Sequence, residues 1–346
     1  ALYERLYSSF YTYWDHRGLE LTEPTQPLVA VVFDSKASYA RYARPELGDA
    51  VASIIGYYNL QNNRVAMFDL TSTSVGGARL GTMAQINAAL ARPEAADMVA
   101  TIIHEATHQL AYNAGIHQRL ADIPLWLSEG FAMYFETPDL KSKRGWAGIG
   151  NVNRPRLIRF RQSLRTRQEG ALQALLADDN QFRDTKTAHN AYAEAWALNY
   201  FLMKRYPKEY NSYLTALSKK GPLLSDTREE RREQFQDAFQ VDWPDLEREF
   251  LQQIRRLRYE RVELVTEQVS YPWPTTNGSP NAFARILLAG WASRKRRCSA
   301  AWDSCSTETC ASESGRISSL SAVAKTPTMK SLPNRTSAPS TSQAGP

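Results

Sequence analysis

The chain has 346 residues, with 42 Lys and Arg against 36 Asp and Glu, giving a formal net charge of +6. Hydrophobic residues make up 43% and charged residues 23%, an ordinary globular balance, and no apolar run approaches the ~18 residues that span a bilayer. The only cysteines, Cys298, Cys305 and Cys310, lie late in the chain, which excludes a disulfide scaffold, and their spacing does not fit paired zinc ligands.

The charge is unevenly spread. Eight basic and three acidic residues lie from Arg294 onward, so the tail carries +5 and residues 1–293 only +1. A nearly neutral body offers no general footprint for a phosphate backbone, so no nucleic-acid partner is expected. The basic run 294–297 reads as part of a solvated tail. The chain begins at Ala1, read as a removed leader or a fragment, and the cysteine-free body slightly favours export over a cytoplasmic location.

In chain order, Leu2, Tyr3, Leu6, Tyr7, Phe10, Tyr11 and Trp14 recur at spacings of mostly three and four, which predicts an amphipathic helix over 2–18 ending at Gly18. The β-branched run 28–33 reads as a buried strand, and 35–43 as a short helix capped by Asp34 or Ser35. Segments 54–60 and 64–70 read as strands joined by a turn at Gln61-Asn62-Asn63. Residues 71–81 look like a loop around Gly76-Gly77.

From Pro93 the pattern turns helical. Pro93 suits a first helical turn, and Gly115 a stop near Asn113. Further helices are predicted from Pro124, over 187–206, 229–239 and 244–262. Composition shifts near Gly290 to Ser, Thr, Ala and Pro, which cannot bury enough apolar surface to order the chain. The expected fold is therefore α+β. Its core spans 1–265, with a small mixed sheet within about 1–115 and a helical part over 116–265. A linker over 266–293 and a disordered tail over 294–346 follow.

Chemistry concentrates in two segments. His104-Glu105-Ala106-Thr107-His108 puts two imidazoles four residues apart on one helix face, where both can reach one metal ion with Glu105 beside the open position. Twenty-one residues after His108, Glu129 stands among Trp126, Leu127, Phe131 and Ala132, and a glutamate buried there needs a partner or a metal. Gly130 beside it permits close helix packing.

The two segments together resemble the gluzincin zinc metallopeptidases, which have a thermolysin-like catalytic core. The second is especially similar to the aminopeptidase N family, while the N-terminal region and the Tyr192–Tyr206 helix resemble a bacterial family of unknown function with a peptidase-like core; the resemblance covers roughly residues 2–260. The resemblance implies Zn²⁺ held by His104, His108 and Glu129, with Glu105 as general base toward a peptide or protein substrate. The chain departs from aminopeptidase N in lacking a Gly-Ala-Met-Glu-Asn segment. It also departs from thermolysin-like relatives in placing Met133 where an aspartate would orient a histidine. Asp122, Glu136 and Asp139 are the candidates for that orienting role.

Tyr192 and His189 are candidates for donating a hydrogen bond to the developing oxyanion, with core packing the alternative for Tyr192. His16 and His117 read as surface or structural residues. A non-catalytic zinc-containing binding protein is the alternative function. An extended peptide is expected to pair with a sheet edge beside the metal helix, supplied by 64–70 or 71–81.

Overall fold

The N-terminal sheet is small and lies between helices. In a computed structural model, which describes residues 2–68, 93–137 and 146–258, α1 (Leu2–Asp15) precedes β1 (Val29–Phe33). Helix α2 (Lys36–Leu47), a 3-10 turn (Gly48–Ala52), and strands β2 (Gly56–Asn59) and β3 (Arg64–Phe68) follow. The strand order is β1-β3-β2. β1 runs parallel to β3, with Val29 beside Arg64 and Phe33 beside Phe68. β2 runs antiparallel, with Gly56 beside Met67 and Asn59 beside Arg64.

Alternation along the strands divides the two faces. Tyr57, Ala66 and Phe68 pack with Tyr39, Leu47 and Val51 of the α2 region. Tyr58, Val65 and Met67 meet Ile102 and Tyr112 of α3 (Pro93–Asn113), the helix carrying both histidines.

The remainder is helical: α4 (Leu125–Phe135), α5 (Arg154–Ser163), α6 (Ala171–Ala177), α7 (Asn180–Arg183), α8 (Ala188–Arg205), α9 (Pro207–Ser218), α10 (Arg228–Phe239) and α11 (Trp243–Arg256). The α+β class is as expected. None of the described helices is long and apolar enough to cross a membrane.

Local sequence accounts for most boundaries. Ser35 caps α2 by accepting from the Ser38 amide, and Asn63 closes the β2–β3 turn with φ 58°. α1 buries Leu6, Phe10 and Trp14, and the Trp14 ring stacks on Phe131 of α4 at 5.5 Å. α4 is buried along its whole length, with α8 packed against it.

Gly130 makes that contact possible. A Cβ there would sit 2.0 Å from Asn199 Nδ2 and 2.4 Å from the Ala195 carbonyl. Asn199 fills the space with bonds, donating to the Trp126 and Ala195 carbonyls and accepting from the Tyr210 hydroxyl.

Two expectations are corrected. The run 28–33 is not a buried strand: Val29 and Val32 are 42% and 46% exposed, because β1 lies at an edge of the sheet among the described residues. Nor can 64–70 offer a free edge, because β3 is central and pairs on both sides. The strand beside α3 is β2. The other proposed edge, 71–81 with Gly76 and Gly77, lies outside the described residues. So do Asp139, the linker and the tail with its cysteines.

Candidate metal centre

α3 and α4 bring the predicted ligands together. His104 and His108 lie one turn apart on α3, and Glu129 projects from the middle of α4. One ligand atom from each of the three lies within 4.8 Å of the others. His104 Nε2 is 3.1 Å from His108 Nε2 and 3.2 Å from Glu129 Oε2, and His108 Nε2 is 3.5 Å from Glu129 Oε1. All three side chains are buried.

Glu136, seven residues after Glu129 at the end of α4, determines which nitrogen of His104 is free. Its Oε2 lies 2.7 Å from His104 Nδ1, and a carboxylate only accepts, so Nδ1–H donates to it. In the neutral ring Nε2 then carries a lone pair, aimed at the Glu129 carboxylate, which is also an acceptor. Two acceptors in contact require a cation between them.

Without a metal that cation is a proton. Burial alone would lower the His104 pKa, but hydrogen bonds to Glu129 and Glu136 push it up to about 10. Glu129 is displaced the other way. Burial would raise its carboxyl, yet His108 and His104 hold it well below the carboxylate range. A divalent ion satisfies the same lone pairs, and the donor set of two imidazole nitrogens and one carboxylate suits zinc.

Glu136 is itself secured. Asn153 donates to its Oε1 at 2.7 Å, and Arg156 Nε lies 3.8 Å from that oxygen. Burial would raise the Glu136 pKa, but His104, Arg156 and Asn153 lower it, so it remains ionised. Of the three orienting candidates, Glu136 takes the role. Asp122 instead pairs with Arg231 at 2.8 Å. Met133 is core.

Glu105 lies beside the triad without belonging to it. Its Oε2 accepts from the Tyr58 backbone N–H of β2 at 2.7 Å. Burial raises its pKa, opposed by His104 and His108 and aided by Glu129.

Tyr192 is packed at right angles to Phe182 and lies 5.9 Å from the Arg156 guanidinium. Burial first, then the Glu129 charge, keeps its phenol protonated. His189, one turn earlier, is part-buried and makes no hydrogen bond to the triad among the described residues. His16 is exposed. His117 is buried between the rings of Tyr112 and Phe131, with both ring nitrogens unbonded, and burial lowers its pKa to about 3. It is structural, and not on the surface.

Sequence reasoning missed Asn153 and Arg156, which act on Glu136 from α5, a helix it did not predict. The Asn before Arg154-Pro155 is a legible cap, and Asn153 does accept from the Arg156 amide. Nothing local signals its amide bond to Glu136. The Tyr58 N–H is a backbone group, which side-chain pattern cannot reveal.

The helix of the two histidines and the helix of the glutamate therefore form one buried, acidic and imidazole-lined group that could hold a metal ion. No curated protein and no solved structure matches the chain. Residues 98–224, which contain this whole group, match the family model described as a protein of unknown function (DUF1570).

Proposed function

We propose that the chain is a zinc-dependent peptidase of gluzincin type, with His104, His108 and Glu129 as ligands. The observation that carries the reading is Glu105. It is a buried carboxylate next to the ligand set, outside it, and held by a backbone amide. A site that merely stored a metal has no need of such a group.

Zinc, when bound, acidifies a coordinated water and polarises a carbonyl. Glu105 accepts the proton of the attacking water and returns it to the leaving amine. The Tyr58 N–H fixes the carboxylate's orientation, and burial moves its basicity toward the range useful for a general base. The phenol of Tyr192, protonated in its buried setting, donates to the carbonyl oxygen as charge develops. Glu136 keeps the His104 tautomer with Nε2 free, backed by Asn153 and Arg156.

The test joins metal analysis to a peptide-library cleavage assay on the full chain. We expect about one zinc per chain. Cleavage should be lost with a chelator and restored by zinc. Glu105→Gln should keep the zinc and lose about 10²–10⁴-fold in turnover. Equal turnover in Glu105→Gln sinks the mechanism. Zinc without cleavage in the wild type points to a non-catalytic zinc-containing binding protein.

A further inference from the structure

Glu105 takes its orientation from one backbone amide, so whatever holds that amide also bears on Glu105. The Tyr58 N–H donates to Glu105 Oε2 at 2.7 Å. Backbone groups along an antiparallel strand point alternately toward its neighbour and away from it. The Tyr58 amide therefore lies on the side of β2 away from β3, while Tyr57 and Asn59 turn theirs toward Ala66 and Arg64. Among the described residues, β3 is the one strand that pairs with β2. Pairing on a single side leaves rocking of the strand to be resisted by its side chains.

Two of those side chains converge on one group. Tyr57 and Asn59 are two residues apart, so they share a face of the strand. The Tyr57 hydroxyl donates to Glu46 Oε2 at 2.6 Å, and Asn59 Nδ2 donates to the same oxygen at 2.5 Å. Both donors belong to buried residues, whereas Glu46 is exposed in the last turn of α2. The other end of the Asn59 amide is also engaged. Its Oδ1 accepts from the Gln61 and Asn62 amides at 2.8 and 3.0 Å, which starts the turn into β3. On the opposite face the Tyr58 ring stacks on Tyr112 of α3, and its hydroxyl donates to Asn63 Oδ1. The residues before and after Tyr58 are thus tied to α2 by one carboxylate, and α2 itself packs on β1 and β3. Hydrogen bonds to an ionised acceptor are stronger than neutral ones, and an alanine in its place makes none.

We propose that Glu46 is a positioning residue for the reaction. By holding Tyr57 and Asn59 it sets where the Tyr58 amide stands, and through that amide it sets the carboxylate of Glu105. The consequence for turnover rests on the peptidase reading, whereas the effect on the amide does not. Among the described residues, the hydrogen bonds of Glu46 go to β2 and none goes to His104, His108 or Glu129. Its loss should therefore leave metal affinity alone and act on the rate.

The test uses the full, zinc-loaded chain well below its melting temperature. Glu46→Ala should lower kcat about tenfold, with KM and zinc affinity changed by less than about twofold. Glu46→Gln, which keeps an acceptor, should recover most of that rate. In a Glu105→Gln background, Glu46→Ala should cost less than about twofold, because the group it positions is gone. Hydrogen exchange gives a reading that needs no turnover: the Tyr58 amide should exchange about tenfold faster in Glu46→Ala than in the wild type. Tyr57→Phe removes one of the two bonds and keeps the ring. It should lose about threefold in kcat and takes the place of Glu46→Ala if that chain does not fold. A melting temperature that falls while kcat and Tyr58 exchange hold overturns the proposal and leaves Glu46 a structural fastening. An equal loss of kcat in the Glu105→Gln background overturns it too. A wild type that cleaves no peptide removes the peptidase reading alone. Tyr58 exchange then decides: acceleration by Glu46→Ala keeps Glu46 as the residue that sets the amide, and an unchanged rate removes it.

Discussion

The α4–α8 helix pair and the three-stranded sheet both border α3, the helix of the two histidines, and they meet it with different tolerances. On the helix side, α4 is buried throughout, Gly130 leaves no room for a methyl group, and Asn199 spans the two backbones. This side supplies Glu129, Glu136 and Tyr192. The sheet side has a separate small core, two exposed valines on β1, and one backbone amide aimed at Glu105. Groups that must converge on a point within tenths of an ångström stand where packing leaves no alternative. Glu105, the general base of the proposed mechanism, is held among the described residues by a single hydrogen bond to the looser side.

Paired glycines put this to a direct trial. Gly130→Ala drives a methyl group into backbone and amide, and should destabilise the chain by about 3 kcal/mol, with zinc affinity falling as α4 and α8 separate. A thermal melt and a zinc titration check both. A stable Gly130→Ala chain with unchanged zinc affinity would remove the contrast.

Glu136→Gln is the next largest. It leaves the packing and weakens the hold on His104, and should lower zinc affinity about 10–100-fold, read by competition with a chelator. A loss under twofold would mean that Glu136 does not orient His104. The smallest effect belongs to the sheet. A Cβ at Gly56 would lie 3.0 Å from the Met67 Cβ and 3.1 Å from the Ala66 carbonyl, contacts that a strand can ease by small shifts. Gly56→Ala should therefore change stability by within about 1 kcal/mol, because the lost chain entropy of glycine offsets part of the crowding. A cost equal to that of Gly130→Ala would show the two sides to be equally tight.

How much was legible follows the same division. His104, His108 and Glu129 were readable because helical spacing and apolar neighbours put them on interior faces, and Gly130 because a glycine beside a buried glutamate implies close approach. Strand positions were readable, but their order was not. A β-branched run looks alike at an edge and in the middle, so the pattern predicts a buried strand at 28–33 and an edge at 64–70, whereas β1 is the edge and β3 is central. Helix α5 was missed because Arg154, Arg156, Arg159 and Arg161 obscure its short apolar face of Leu157 and Phe160. With it went Arg156 and Asn153, whose roles depend on meeting Glu136 from a distant part of the chain.

The seating of α4 has a practical corollary for where this protein can be cut. Asp179 accepts from the Leu125 amide at the start of α4 and is neutralised by Arg231 of α10, while Glu194 of α8 and Glu247 of α11 share Arg167. Both clamps reach past residue 224, where the family match stops, and the stacking partner of Phe131 and the amide that holds Glu105 lie before residue 98, where it starts. A fragment cloned to the matched bounds would contain His104, His108 and Glu129, yet Asp179 would lose Arg231 and keep only the more distant Arg183, and α4 would expose an aromatic face. The segment that matches the family model is thus shorter than the set of helices and strands that pack around the triad. Expression trials should begin from the boundaries of α1 and α11.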